Sequence, residues 1–113
     1  MNLEKLALLK VRRKIYAWAV SDCDVWMNEI KRMGGNTAKL EQHKEEYFKI
    51  LDDIDSEISY IRTAIDSLED KTISKILIMR YDQECKISEI AEEMNYSTQW
   101  IHELINRGIS KLK

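Results

Sequence analysis

Residues 87–113 read ISEIAEEMNYSTQWIHELINRGISKLK, and their spacing decides how the C-terminal part folds. Two helices that cross closely need a small residue where they touch, and Ala91 supplies it. Four residues on, Asn95 stands where the first helix must end in a left-handed residue, for which asparagine is the best choice after glycine. Six residues further, the β-branched Ile101 fits the position that locks the second helix onto the first. Ile90, Met94, Tyr96 and Leu104 fill the other inward positions. Ser97 stands where the second helix needs a side-chain acceptor for its first amides. Together these residues predict a helix-turn-helix, with helices over about 87–94 and 98–112. A plain helical hairpin has no need of the Ala91–Asn95–Ile101 spacing.

Upstream, Thr72 is positioned to cap a helix over about 73–81, with Ile73, Ile76, Leu77 and Met79 inward, and residues 82–86 form a polar connection. Lys86 stands at the entry of the 87–94 helix, where an acceptor side chain is expected, so either Ser88 caps instead or the entry is shifted.

The first 70 residues follow a different logic. Leu40, Tyr47, Leu51, Ile54, Ile58, Ile61, Ile65 and Leu68 form an apolar seam, stepping alternately by four and three from Tyr47 onward. That is a heptad register, with Lys44 filling the gap after Leu40. It predicts a helix over 38–69. A second helix, over 2–33, carries the stripe Leu8, Val11, Ile15, Trp18 and Val25, widened at its ends by Leu3, Leu6, Ala7, Ile30 and Met33. Gly34-Gly35-Asn36-Thr37 breaks the pattern, with glycine to end one helix and Asn36 or Thr37 to cap the next. So short a link forces an antiparallel hairpin. The expected architecture is all-α, with a hairpin over 1–70 followed by a DNA-binding module over 71–113. The isoleucine-rich seam points to a further partner, most simply a second copy; the alternative is that the C-terminal helices cover it.

Composition agrees with long helices: proline is absent, and glycine occurs only at positions 34, 35 and 108. The chain is 113 residues long, 44% hydrophobic and 34% charged, which excludes disorder as its main state. No apolar run approaches the roughly 18 residues of a membrane span. The N-terminal stretch interleaves charge with apolar residues and does not read as a secretory signal. Cys23 and Cys85 have no framework spacing, so we expect reduced thiols in a cytoplasmic protein. Net charge is −2. It is uneven, at +4 over residues 1–20, −7 over 21–70 and +1 over 71–113. A protein that holds DNA by bulk charge would be more basic, so DNA binding here calls for two copies or a second DNA-bound partner.

The string from Ser59 to Lys113, with ILIMRY ending one helix, SEIAEEM, the NYS turn and a final helix closing in GISKLK, resembles sigma-factor region 4. More closely, it resembles small phage transcriptional regulators of the RinA/ArpU type, which share the long helical pair ahead of the module. The resemblance implies a recognition helix entering the major groove by its N-terminal end. It places Ser97, Thr98, Gln99, Trp100, His102, Glu103, Asn106 and Arg107 on the outward face. Gln99 suits an adenine edge and Glu103 a cytosine amino group. Ser97 and Thr98 suit a phosphate, and Arg107 and Lys111 suit flanking phosphates. Trp100 is unusual on such a face: it suits a sugar or a thymine methyl, and the favoured alternative is that it packs against the long hairpin. The segment departs from region 4 in being less basic at its start, which lowers the expected affinity for DNA of any sequence.

The implied function is a sequence-specific transcriptional regulator activating a phage or prophage operon in the bacterial cytoplasm. Double-stranded DNA is the ligand, a homodimer the expected state, and RNA polymerase or a sigma factor a further partner. The rivals are a DNA-packaging protein of the small-terminase kind, a helical adaptor for polymerase, and a purely structural coiled coil. No catalytic, cofactor or metal role is expected. The acidic run Asp52, Asp53, Asp55 and Glu57 matches no calcium loop. His43, His102 and Cys23 have no partners at ligand or catalytic spacing. Lys10, Arg12, Arg13 and Lys14 read as a charged helix face rather than a DNA contact.

Overall fold

The computed structural model describes residues 1–113 and is all helical: α1 (Lys5–Arg32), α2 (Ala38–Asp66), α3 (Lys71–Leu77), a π turn (Ile78–Asp82), α4 (Ile87–Met94) and α5 (Thr98–Lys111). The chain forms two compact units. One holds residues 9–57, and the other holds 1–8 together with 58–113. This spatial division differs from a linear one at residue 70, because the first residues of α1 and the last of α2 belong with the C-terminal helices.

The unit of residues 9–57 is an antiparallel hairpin. The turn between its helices forms because Gly34 takes φ +79°, which a Cβ would resist. Gly35 N–H then donates to the Ile30 carbonyl at 2.8 Å and Gly34 N–H to that of Lys31 at 3.0 Å, satisfying the carbonyls left at the end of α1. The Asn36 side chain accepts from Ala38 N–H at 2.8 Å and starts α2. Two ion pairs fix the register: Arg13 Nε reaches Asp55 at 2.6 Å, and Lys44 binds Asp24. From one pair to the other the chain advances 11 residues on α1 and retreats 11 on α2, as antiparallel helices must.

The expected face of α1 is overturned. Leu8, Val11, Ile15, Trp18 and Val25 are all more than half exposed, and Met33 lies outward as well. The inward line of the hairpin is Leu9, Tyr16, Val20, Cys23, Met27 and Ile30, buried or half-buried, with Arg13 in its one polar slot. That line has the same three-and-four spacing as the exposed one and is offset from it by two residues. At about 100° per residue, such an offset puts the two lines on nearly opposite faces. Periodicity alone cannot say which faces inward.

The unit of residues 1–8 and 58–113 has a dry core. Leu6, Ile65, Ile76, Leu77, Ile90 and Ile101 are all under 2% exposed. Ile58, Ile61, Ile65 and Leu68, read from the sequence as a seam awaiting a second copy, are buried within this unit, so they are not a free surface. Ser74 Oγ donates to the Ile65 carbonyl at 2.8 Å and joins α3 to α2. Arg62 grips the Asp82 carboxylate through two hydrogen bonds of 3.0 Å and joins α2 to the end of the π turn. The guanidinium is held above its ordinary pKa, chiefly by that hydrogen bonding.

Two local expectations change. Asp70, not Thr72, caps α3, accepting from Thr72 N–H at 2.9 Å and Ile73 N–H at 3.3 Å, so the helix begins at Lys71. The helix read over 73–81 leaves α geometry after Leu77, where the wider turn sends Gln83 N–H to the Ile78 carbonyl at 2.9 Å. Glu84 then takes φ 58°, and Cys85 N–H reaches the Met79 carbonyl at 2.9 Å.

Candidate nucleic-acid interface

The helix-turn-helix forms by the devices its sequence prescribes. Asn95 ends α4 at φ 57°, ψ 40°. Tyr96 N–H donates to the Ala91 carbonyl at 3.0 Å and Asn95 N–H to that of Glu92 at 3.3 Å. This pattern matches the Gly34–Gly35 turn, with asparagine in glycine's place. Ser97 caps α5, its hydroxyl accepting from Trp100 N–H at 3.1 Å. Ala91, Ile90, Ile101 and Leu104 are buried as expected, and Met94 is half-buried. Tyr96 is the exception at 40% exposed, because it follows the left-handed residue and the chain there turns outward.

The entry to α4 resolves the question at Lys86. Neither Lys86 nor Ser88 supplies a capping acceptor; a lysine ammonium has none to give. Instead the Glu89 carboxylate, one turn inside, reaches back and accepts from Lys86 N–H at 3.1 Å. Arg80 donates to the Cys85 carbonyl at 3.0 Å and holds the preceding loop.

A requirement that the sequence does not announce falls on Gly108. A Cβ there would lie 2.6 Å from Ile73 Cγ2 and 2.8 Å from Leu77 Cδ1, so α5 and α3 approach more closely than any side chain allows. The visible signal is a single glycine inside an otherwise strong helix, a costly choice unless packing demands it.

With Ile101, Leu104, Ile105 and Gly108 turned inward, α5 presents its other face to solvent. Ser97, Thr98, Gln99, His102, Glu103, Asn106, Arg107 and Lys111 are all exposed, and Trp100 is half-buried. The face is partly organised within itself. Arg107 Nη2 pairs with Glu103 Oε1 at 2.9 Å, one turn away, while its guanidinium carbon stands 5.0 Å from the centre of the Trp100 ring. The indole was expected against the long hairpin; the charge above it comes from its own helix. Arg107 and Lys111 also line one side of an open groove of about 750 Å³, whose other side includes Glu69, Asp70 and Ile73.

Charge on the module is mixed. α4 exposes Glu89, Glu92 and Glu93, whereas the basic groups of α5 gather at its C-terminal end. At the other end, Ser97 accounts for only one of the first amides of α5, that of Trp100. The N–H groups of Thr98 and Gln99 have no intrahelical partner, as at any helix start.

No helix of the chain is long and apolar enough to cross a membrane. No curated protein sequence and no solved structure matches the chain. Residues 64–113 match the protein family described as Sigma-70, region 4. The match begins at the end of α2 and runs through α3, the π turn, α4 and α5. This C-terminal helix-turn-helix segment, and not the hairpin ahead of it, is what the chain has in common with region 4 of the sigma-70 family.

Proposed function

We propose that the chain is a sequence-specific DNA-binding regulator of transcription that enters the major groove with the leading turn of α5. The observation that carries this reading is the exposure of Ser97, Thr98 and Gln99 at the start of a helix whose opposite face is locked into the core. A turn so placed is open to an approaching groove, and its rigid footing fixes where each side chain arrives.

The chemistry divides along the helix. Thr98 and Gln99 N–H groups, with the hydroxyl hydrogen that Ser97 retains while its oxygen accepts, suit a phosphate at the positive end of the helix. The Gln99 amide offers the donor and acceptor pair that matches adenine in the major groove. Glu103 accepts from a cytosine amino group once Arg107 leaves it for a phosphate. An exposed pair of this kind is worth only about 0.3–0.5 kcal/mol, so the exchange is cheap. His102 and Asn106 continue the face, and Lys111 supplies a second backbone contact. The glutamates of α4 oppose binding to DNA in general and leave base contacts a larger share of the affinity.

Two copies reading two half-sites would offset the weak charge by raising the effective concentration of the second module. We assign the regulator to the phage or prophage kind, acting in the bacterial cytoplasm on an operon it activates, on the resemblance of the long helical pair followed by a region 4-like module. The role is one of binding, with no catalytic step and no cofactor. Contact with RNA polymerase or a sigma factor would complete the activating role.

The test is selection from random duplex DNA with the full chain at low and moderate salt. The reading expects an enriched motif whose preference relaxes at one position with Gln99→Ala. Binding that ignores sequence and vanishes at moderate salt would replace it with the polymerase-adaptor reading, and ring-shaped assemblies in solution would favour the packaging one.

A further inference from the structure

The outward line of α1 has no occupant within the hairpin unit. Val11, Ile15, Trp18 and Val25, joined by Trp26, are each more than half exposed along one helix. A tryptophan offers about 150–250 Å². The two indoles, each more than 60% exposed, therefore present on the order of 200–300 Å² before the aliphatic side chains are added. The whole line reaches or exceeds the roughly 300–600 Å² of the largest apolar patch on a typical monomer. Val11, Ile15, Trp18 and Val25 keep heptad spacing, the arrangement by which one helix packs lengthwise on another.

The charges beside this line identify the occupant. Lys14 lies four residues before Trp18 and Asp22 four residues after it; Val11 lies seven before and Val25 seven after. Lys14 and Asp22 are both exposed. Val11 and Val25 are therefore placed symmetrically about Trp18, and Lys14 and Asp22 are placed symmetrically with opposite charge. A parallel second copy would set Lys14 beside Lys14 and Asp22 beside Asp22. An antiparallel copy crossing at Trp18 sets each Lys14 beside the other copy's Asp22 and each Val11 beside the other copy's Val25, with the two indoles meeting on the axis. A two-fold contact needs this self-complementarity, in which residue i meets j and j meets i.

We propose that two copies of the chain associate through α1, antiparallel, about a two-fold axis at Trp18. The proposal gives the two-copy arrangement of the DNA-binding reading a surface and rests on that reading only for its purpose.

Sedimentation equilibrium of the full chain at micromolar to 100 µM concentrations tests it. The expected mass is twice 13.4 kDa. Trp18→Glu and, independently, Ile15→Glu should weaken association roughly a hundredfold, with the helical circular dichroism of the wild type retained. Asp22→Lys should weaken it about tenfold and Lys14→Asp likewise, and the double exchange should restore it, since only antiparallel pairing joins these two residues. A 13.4 kDa mass throughout would overturn the proposal and with it the two-copy arrangement. A dimer indifferent to Trp18→Glu and Ile15→Glu would overturn this surface and leave two copies joined elsewhere. Failure of the double exchange to restore binding would overturn the antiparallel pairing. A monomer that still selects a duplex motif would end this inference without touching the DNA-binding reading.

Discussion

The two units of the chain use similar side chains to opposite ends. In the unit of residues 1–8 and 58–113, segments of several helices enclose a core of isoleucines and leucines, and six of the largest are sealed from water. In the unit of residues 9–57, two helices shield one line each, and tryptophan, isoleucine and valine on the other face of α1 stay wet. The contrast is geometric. A pair of helices has one mutual seam, so apolar residues beyond it face solvent or a partner, whereas three or more helices enclose a volume. Side-chain chemistry alone does not separate Ile15 from Ile101; the number of neighbours does.

That comparison breaks most sharply at those two isoleucines. Ile101→Ala should cost about 2–5 kcal/mol in urea unfolding, since it opens a cavity where α4 and α5 meet. Ile15→Ala, measured at a concentration low enough to keep single chains apart, should change stability by less than about 0.5 kcal/mol. Equal losses would show that the outward face of α1 is part of the folded core.

Gly108 sharpens the picture of the sealed unit. Alanine gains about 1 kcal/mol of helix propensity but forces Ile73 and Leu77 aside, at a typical overpacking cost of about 1–3 kcal/mol. Gly108→Ala should therefore lose on the order of 1 kcal/mol and shift the amide resonances of α3 as well as α5. A stabilised variant would mean that α3 and α5 stand further apart than described.

The smallest effect concerns pH. Burial raises the Tyr81 phenol above its ordinary pKa, with Glu4 adding to the shift. The folded state thus holds the proton more tightly than the unfolded chain does. Its contribution is fully present below the unfolded pKa, about 10, and is lost as pH rises through the raised folded value. Melting temperature should fall above about pH 10, and less in Tyr81→Phe than in the wild type. Identical alkaline slopes would remove Tyr81 from the account.

Much of this was legible beforehand, for definable reasons. The helix-turn-helix could be read because each of its parts makes a local demand: a left-handed residue at Asn95, an acceptor at Ser97, a small contact at Ala91. The line along α2 could be read because only one face of that helix is apolar with regular spacing. The inward face of α1 could not, because the bulkier of its two lines, with Trp18 and Ile15, is the one left outside. The smaller line through Val20 and Cys23 meets α2. The cap at Asp70 was missed because Thr72, also a capping residue, stands two positions later. The π turn has no residue signature in 78–82. The residues expected on the outward face of α5 are exposed there, apart from the half-buried Trp100, but the Trp100–Arg107–Glu103 arrangement depends on side-chain angles that spacing does not specify.

The proposed function rests on the leading turn of α5 meeting DNA, and amide chemical-shift mapping of the full chain with a duplex recovered by selection tests it most directly. The largest shifts should fall at Ser97, Thr98, Gln99 and His102, with smaller ones at Arg107 and Lys111 and little change along α2. Shifts concentrated on α1 and α2, with the start of α5 unmoved at saturating duplex, would contradict it.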